Sequence, residues 1–400
     1  MISIEEADKI IEKNIRKFPI IEIALEDAHG AVLREDIHAD RDLPPFNKAI
    51  MDGIAVKYSA FKKGHRSFKI LGTQAAGIDA LALRTEEGCT EIMTGAMLSK
   101  GADCVIPIEQ VAITDNMAKV KADVKIKRMM NVSVKGNDHK EGELLIRQDC
   151  ILNAAQIATA AAVGKAKIKV SYKPKVAIIS TGDELVEVHE DVLPFQIRKS
   201  NSYFMKAVLD KTRLFEVATF HFKDNKKMLL RQIGAILEKF DVLVVTGGIS
   251  MGKFDLIPGV MKELKVDILF QKVRQKPGKP FWYGRTKRNQ PVFALPGNPI
   301  ATHVGMLRHV IPNLKKALGV NEEATEYAVL EEAMEIDTPF TFFLLIAIEC
   351  APTGQLKATP IMTGGSGDFA TVARADGFME IPENTQKVPK GFVGKVFRLR

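Results

Sequence analysis

Apolar positions change their period along the chain, and the changes divide it. Ile4, Ala7, Ile10, Ile11 and Ile15 recur at helical spacing, and Ser3 with Glu6 offers a capping box. This predicts an N-terminal helix that Pro19 ends. From about residue 57 to 139 the pattern turns to short alternating runs, at Lys69 to Leu71, Cys104 to Ile108 and Lys119 to Ile126, parted by glycine-bearing turns. That reads as a β-rich module. Helical spacing returns in ILNAAQIATAAAVG, with Asn153 as its cap and Gly164 as its stop.

The next stretch alternates two element types. KVAIIS (175–180), DVLVVTGG (241–248) and VFALPGNP (292–299) are apolar runs that end in turn residues. Helical patterns lie at 201–213, 224–239, 255–265 and 300–318. Strand and helix in alternation predict a parallel sheet covered on both faces, a doubly wound α/β module. Residues after about 321 are alternating and turn-rich. The expected fold is therefore multidomain α/β plus β. A split helical domain (1–42 and 140–172) carries an inserted β-rich domain (43–139). The α/β domain (173–320) and a small C-terminal β domain (321–400) follow.

The chain has 400 residues, enough for two to four domains at ~150 residues each. Its 46% hydrophobic and 26% charged residues exclude disorder as the dominant state. A net charge of +8, spread without a dense Lys/Arg run, suits an anionic small molecule and argues against nucleic acid. Cys89, Cys104, Cys150 and Cys350 form no CxxC pair, so neither a zinc site nor a disulfide framework is expected, and the expected location is cytoplasmic. The first residues do not read as a signal peptide, and no apolar stretch approaches the ~20 residues of a membrane helix.

Candidate chemistry gathers at three predicted strand ends. These are STGDEL (180–185), TGGISMGKFD (246–255) and LPGNP (295–299). Ligands of open parallel sheets sit beyond the strand C-termini. Glycine lets the backbone approach a phosphate, and Asn298 before Pro299 is placed to open a helix toward it. A lone TGG or GDE is usually a turn, and LPGNP alone is plausibly a turn plus helix cap; three together argue for one shared ligand site. KPGKP (276–280) adds two lysines across a rigid turn, suited to an oxyanion or to a solvated loop. The absence of GxGxxG and GxxxxGK[ST] argues against Rossmann and P-loop nucleotide binding. Asp52, Asp183, Glu184 and Asp255 stand among these signals; on the bland reading Asp183 is a turn residue and Asp255 a helix N-cap. On the functional one they hold a hard cation such as Mg2+ that bridges to phosphate.

Taken in order, PPFNKAIMDGIAV, IMTGAMLSKGADCVI, STGDELVE, IRKSNSYFMKAVL, TGGISMGKFD, KPGKPFWYG, VFALPGNP and GSGDFATVARADGFMEIP closely resemble the MoeA family, the molybdopterin molybdenumtransferases, over nearly the whole chain. The resemblance implies an elongated homodimer with its site between the α/β module and the MDG region of the other subunit. It implies insertion of molybdenum from molybdate into adenylylated molybdopterin, with release of AMP and help from Mg2+. A molybdopterin-adenylylating enzyme and molybdoenzyme apoproteins are the implied further partners. The implied catalytic residues are Asp52, Thr94, Asp138, Glu184 and Asp255, with Glu184 and Asp255 also holding metal. The implied ligand-binding set is Gly182, Asp183, Thr246, Gly247, Gly248, Ser250, Pro296, Gly297, Asn298 and Pro299, with Lys276, Gly278, Lys279 and Ser366 around the oxyanion. The chain departs from the family pattern at Asn47, Ala49, Ile54 and Ala301, and has no arginine between Arg308 and Arg374. Two further readings are adenylyl transfer from ATP to molybdopterin, which belongs to a related α/β fold, and a gephyrin-like scaffold without catalysis.

Overall fold

A computed structural model of the chain describes residues 1–249, 255–321, 324–365 and 367–399. The chain falls into two compact units, one formed by residues 1–35, 148–154 and 167–400 and the other by 36–147 and 155–166.

The first unit is organised by a six-stranded sheet. Its order is Glu216–Phe222, Lys175–Thr181, Val242–Thr246, Pro291–Leu295, Trp282–Arg285, Asp267–Phe270. The first four strands are parallel, and the last two add antiparallel to the edge. Successive residues of the central strands serve opposite faces, as the pleat requires. Val176, Ile178, Val242, Val244, Phe293 and Leu295 join one core with Met205 and Leu209 of helix Asn201–Thr212 and with Ile300 and Val304. Ala177, Ile179, Leu243, Val245, Val292 and Ala294 join the other, with Leu229 and Ile233 of helix Lys226–Leu237 and with Val260 and Met261. Both faces are thus covered, the physical reason these strands read as unbroken apolar runs.

The N-terminal helix, Ile4–Asn14, packs Ile4, Ala7 and Ile11 into the first of these cores. Its capping box is present: the Ser3 hydroxyl accepts from the Glu6 N–H at 3.1 Å, and the Glu6 carboxylate accepts from the Ser3 N–H at 2.8 Å. The helix stops before Pro19. Asn14 turns its side-chain amide back onto the Ile10 carbonyl at 2.8 Å, and Ile15 is already extended. The helical stretch after LPGNP is also modified. It runs Pro299–Val304, a π-helical Gly305–Val310, then Ile311–Ala317. Pro312 has no N–H for the Arg308 carbonyl, so the preceding turn opens.

A second six-stranded sheet closes the C-terminal part of this unit. Thr341–Cys350 pairs with both Leu356–Pro360 and Gly377–Ile381, which bends the sheet toward a barrel. Its edge strand is Gln275–Lys276, the start of the KPGKP turn, paired parallel with Thr341 and Phe342.

The second unit holds a third six-stranded sheet, in the order Cys104–Pro107, Gly53–Val56, Gly88–Ile92, Ser67–Gln74, Met117–Val120, Val111–Thr114. Its core includes Ile54, Val56, Phe68, Cys89, Cys104 and Ile106. Burial pushes the thiols of Cys89 and Cys104 up to about 12, which makes them core packing rather than nucleophiles. All four cysteines are free. No helix among the described residues is long and apolar enough to cross a membrane.

Candidate functional site

The three glycine-bearing turns follow the C-terminal ends of neighbouring parallel strands, because Ser180 pairs with Thr246, and Thr246 with Leu295. Their backbones are close-packed. Gly247 has a φ of +89°, and a Cβ there would lie 2.5 Å from the Thr181 carbonyl oxygen. A Cβ on Gly297 would lie 3.7 Å from the Gly247 Cα. Only glycine lets the second turn run between the first and third.

Side chains then pin the turns. The Thr246 hydroxyl donates to the Pro296 carbonyl at 3.1 Å. The Thr302 hydroxyl reaches the same carbonyl at 2.7 Å and that of Asn298 at 3.0 Å. Asn201, at the start of its helix, donates its side-chain amide to the Gly297 carbonyl at 2.8 Å and lies 3.4 Å from the Thr246 hydroxyl. The Asn201 Oδ1 and Thr181 Oγ1 are buried without a hydrogen-bond partner among the described residues. Buried polar atoms left open in this way are uncommon, and both of these lie beside the strand ends. Asn298 occupies the N-cap position with Pro299 at the first helical position, but its side chain makes no capping bond. The expected placement therefore holds.

Acidic groups stand beside the first turn. The exposed Asp183 accepts from the Asp224 N–H at 3.1 Å. The Glu184 carboxylate folds back so that a Cβ on Gly182 would meet it at 2.6 Å. Asp224 has its carboxyl raised, first by burial and then by the charges of Asp183, Glu184 and Asp255. Four carboxylates therefore concentrate negative charge at this end of the sheet. No three His, Cys, Asp or Glu among the described residues are grouped to form a metal cage. Carboxylates are the donor type that Mg2+ takes, one or two at a time, with phosphate oxygens and water completing its shell.

The KPGKP turn lies against the third strand end, since a Cβ on Gly278 would come 3.6 Å from the Ala301 carbonyl. Lys276 and Lys279 are both exposed. Lys276 Nζ is 3.4 Å from the Asp337 carbonyl, and Lys279 Nζ sits 5.4 Å over the Phe340 ring. Ser250 and Ser366, both expected in the site, lie outside the described residues.

In the second unit Asp52 and Thr94 meet. The Thr94 N–H and hydroxyl both donate to Asp52 Oδ1, at 2.6 and 2.7 Å. These two bonds hold the exposed Asp52 carboxyl below its usual range, ionised and fixed in direction. Gly53 is demanded by packing, because a Cβ there would fall 1.9 Å from the Ile106 carbonyl oxygen. Asp138 is exposed, and its N–H donates to the Leu43 carbonyl at 3.0 Å.

Sequence reasoning missed Asn201, Thr302, Asp224, Gln275 and His309. Asn201 stood inside a quoted motif, and its position opening a helix beside three strand ends was the one available signal.

A doubly wound sheet with glycine turns pinned at its strand ends, acidic groups beside them and a lysine turn against them defines a class of anionic-cofactor-binding module. Residues 177–316 match the family model described as the probable molybdopterin binding domain. Residues 2–164 match the MoeA N-terminal region (domain I and II), and 327–396 the MoeA C-terminal region (domain IV). The chain belongs to the MoeA family. It is 36% identical over 392 residues to the molybdopterin molybdenumtransferase of Synechocystis sp., covering 98% of both chains. It is 30% identical to that of Staphylococcus epidermidis, covering 98% of this chain and 94% of that one. The crystal structure of the molybdopterin biosynthesis MoeA protein from Pyrococcus horikoshii is similar at a TM-score of 0.84, with 30% identity and 100% and 99% coverage.

Proposed function

We propose that this protein is a molybdopterin molybdenumtransferase of molybdenum cofactor biosynthesis. It inserts molybdenum from molybdate into adenylylated molybdopterin and releases AMP. The observation that carries the reading is the set of three pinned glycine turns flanked by carboxylates on one side and by Lys276 and Lys279 on the other. The glycine turns suit a phosphate pressed against the backbone. The lysines suit a dianionic oxyanion.

The residues divide the work by charge. The backbone of 246–249 and 296–299 would hold the pterin phosphate and adenylate, with Ser250 beside them. Asp183 and Asp224 would keep the acidic end polar, while Glu184 and Asp255 would hold Mg2+. Held there, Mg2+ would supply charge neutralisation for phosphoanhydride cleavage. Lys276, Lys279 and Ser366 would present molybdate to the dithiolene sulfurs. Asp52, fixed by Thr94, and Asp138 would act from a second copy of the chain, so the reading carries a homodimer. It also carries the four-part domain division and a cytoplasmic location.

The test is molybdate-dependent AMP release from adenylylated molybdopterin by the purified protein with Mg2+. Release establishes the reading. Turnover of ATP with free molybdopterin instead assigns adenylyl transfer. Tight substrate binding without release assigns a scaffold.

A further inference from the structure

The KPGKP turn is held from beneath by a buried polar chain that no step above uses. Gln275 is fully buried although it opens the lysine turn. Its Nε2 donates to the Gly278 carbonyl at 3.2 Å, and its Oε1 lies 2.8 Å from His309 Nε2. The carbonyl of Gly278 can only accept, so the amide orientation of Gln275 is fixed. Its oxygen then faces His309, whose Nε2 must carry the proton. His309 is itself fully buried, stacked on Phe281 at 4.6 Å between ring centroids. Burial pushes its pKa down to about 4, so the ring is neutral.

The chain continues outward from His309. Its Nδ1, unprotonated in this tautomer, stands 3.8 Å from Asp8 Oδ1, beyond hydrogen-bond reach. Asp8 receives two bonds from the Arg308 guanidinium, at 3.1 and 2.7 Å. The Arg308 Nε donates to Glu380 of the C-terminal sheet at 3.0 Å. Arg308 and His309 are consecutive residues of the π-helical turn, a feature common where a helix carries function. The lysine turn is thereby fastened on two sides. Strand pairing with Thr341 and Phe342 holds its start, and the Gln275 amide holds its apex.

We propose that Gln275 and His309 are positioning residues for oxyanion binding. Through the Gly278 carbonyl they fix the shape of the turn, so that Lys276 and Lys279 are presented together to a tetrahedral dianion. The proposal rests on the reading of KPGKP as the molybdate turn. The structural arrangement itself does not depend on that reading.

The experiment compares intact variants by equilibrium dialysis against molybdate and by KM and kcat for AMP release, with thermal stability measured alongside. Gln275→Met keeps the bulk and deletes both bonds. It is expected to raise the molybdate Kd and KM about tenfold, the loss of roughly one to two net hydrogen bonds, with kcat at saturating molybdate little changed. His309→Gln places an amide N–H where Nε2 was and is expected to keep a near-native molybdate KM even if stability falls. His309→Leu is expected to raise KM as Gln275→Met does. A purely structural role would lower stability in His309→Gln and His309→Leu without separating their KM values, and that result overturns the proposal. The paired variant Lys276→Ala, Lys279→Ala is the control. If it binds molybdate as tightly as the native protein, the reading of the turn fails and the proposal with it. If it binds weakly while Gln275→Met binds normally, the proposal alone fails.

Discussion

Single residues at the strand ends are constrained by contacts that leave little choice of side chain. Gly247 combines a left-handed φ of +89° with a carbonyl oxygen 2.5 Å from where a Cβ would stand. Gly247→Ala is therefore expected to lower stability by roughly 1–3 kcal/mol and to weaken phosphate-ligand binding, read by denaturant titration and by ligand titration. The carboxylates are constrained by charge rather than space. Glu184 and Asp255 both raise the Asp224 carboxyl, so each acts at the same small region. Glu184→Gln and Asp255→Asn remove one negative charge each without changing bulk. Both variants are expected to remain folded and to lose molybdenum insertion, measured as molybdate-dependent AMP release. Native rates in both would remove the acidic metal site from the mechanism.

At the scale of elements, the turns work because helices and strands hold them from behind. The third strand end is pinned by two threonines and an asparagine from three different elements. The π-helical turn supplies Arg308, which joins the N-terminal helix through Asp8 to the C-terminal sheet through Glu380. The Arg308 side chain keeps 12% exposure, against 35% for Asp8 and 20% for Glu380. Removing the cation leaves two partly buried carboxylates facing each other across its place. Arg308→Met is expected to cost roughly 3 kcal/mol, the low end for a broken buried pair because Asp8 retains water. A chemical denaturation curve measures it. Adding Asp8→Asn to Arg308→Met is expected to recover part of that loss.

For the whole molecule, the same buried chain sets a response to acid. The groups facing His309 are Asp8, Arg308 and Gln275, and burial keeps the ring neutral with a pKa pushed down to about 4. The unfolded chain protonates this histidine near pH 6.5. Between about pH 6.5 and 4 the unfolded state thus binds a proton that the folded state refuses, and stability falls as pH falls. Burial works against the charged form of Asp8, but the two bonds and the charge of Arg308 overcome it and hold its carboxyl well below the usual range. Its contribution has the same sign and is lost at still lower pH. Unfolding free energy measured at pH 7 and pH 5 is expected to drop by about 1–2 kcal/mol, as one histidine allows over that interval. His309→Gln is expected to flatten that slope, and an unchanged slope would assign the acid response to other groups.

Much of this protein was legible from local pattern. The buried strands read as apolar runs because both of their faces are covered, and the capping box read from two residues three apart. The gathering of the three glycine turns at one end of the sheet was legible because each strand end is a short motif and parallel strands must bring such ends together. The Asp52 and Thr94 pair was visible only as two separate motifs, since the contact that joins them spans 42 positions. The antiparallel strands at the sheet edge, the π-helical turn and the early stop at Asn14 were not legible, because each depends on which backbone groups find partners. The Gln275, His309, Asp8 and Arg308 chain was the least visible. Its hydrogen bonds span 34 and 300 positions, and such links leave no period in a sequence. Sequence alone determined the central buried strands, which turns are glycine and where charge is available, because those follow from local sterics and burial. Only the tertiary structure decided which polar groups hold the lysine turn in shape, because that choice rests on satisfying buried donors and acceptors brought together from distant parts of the chain.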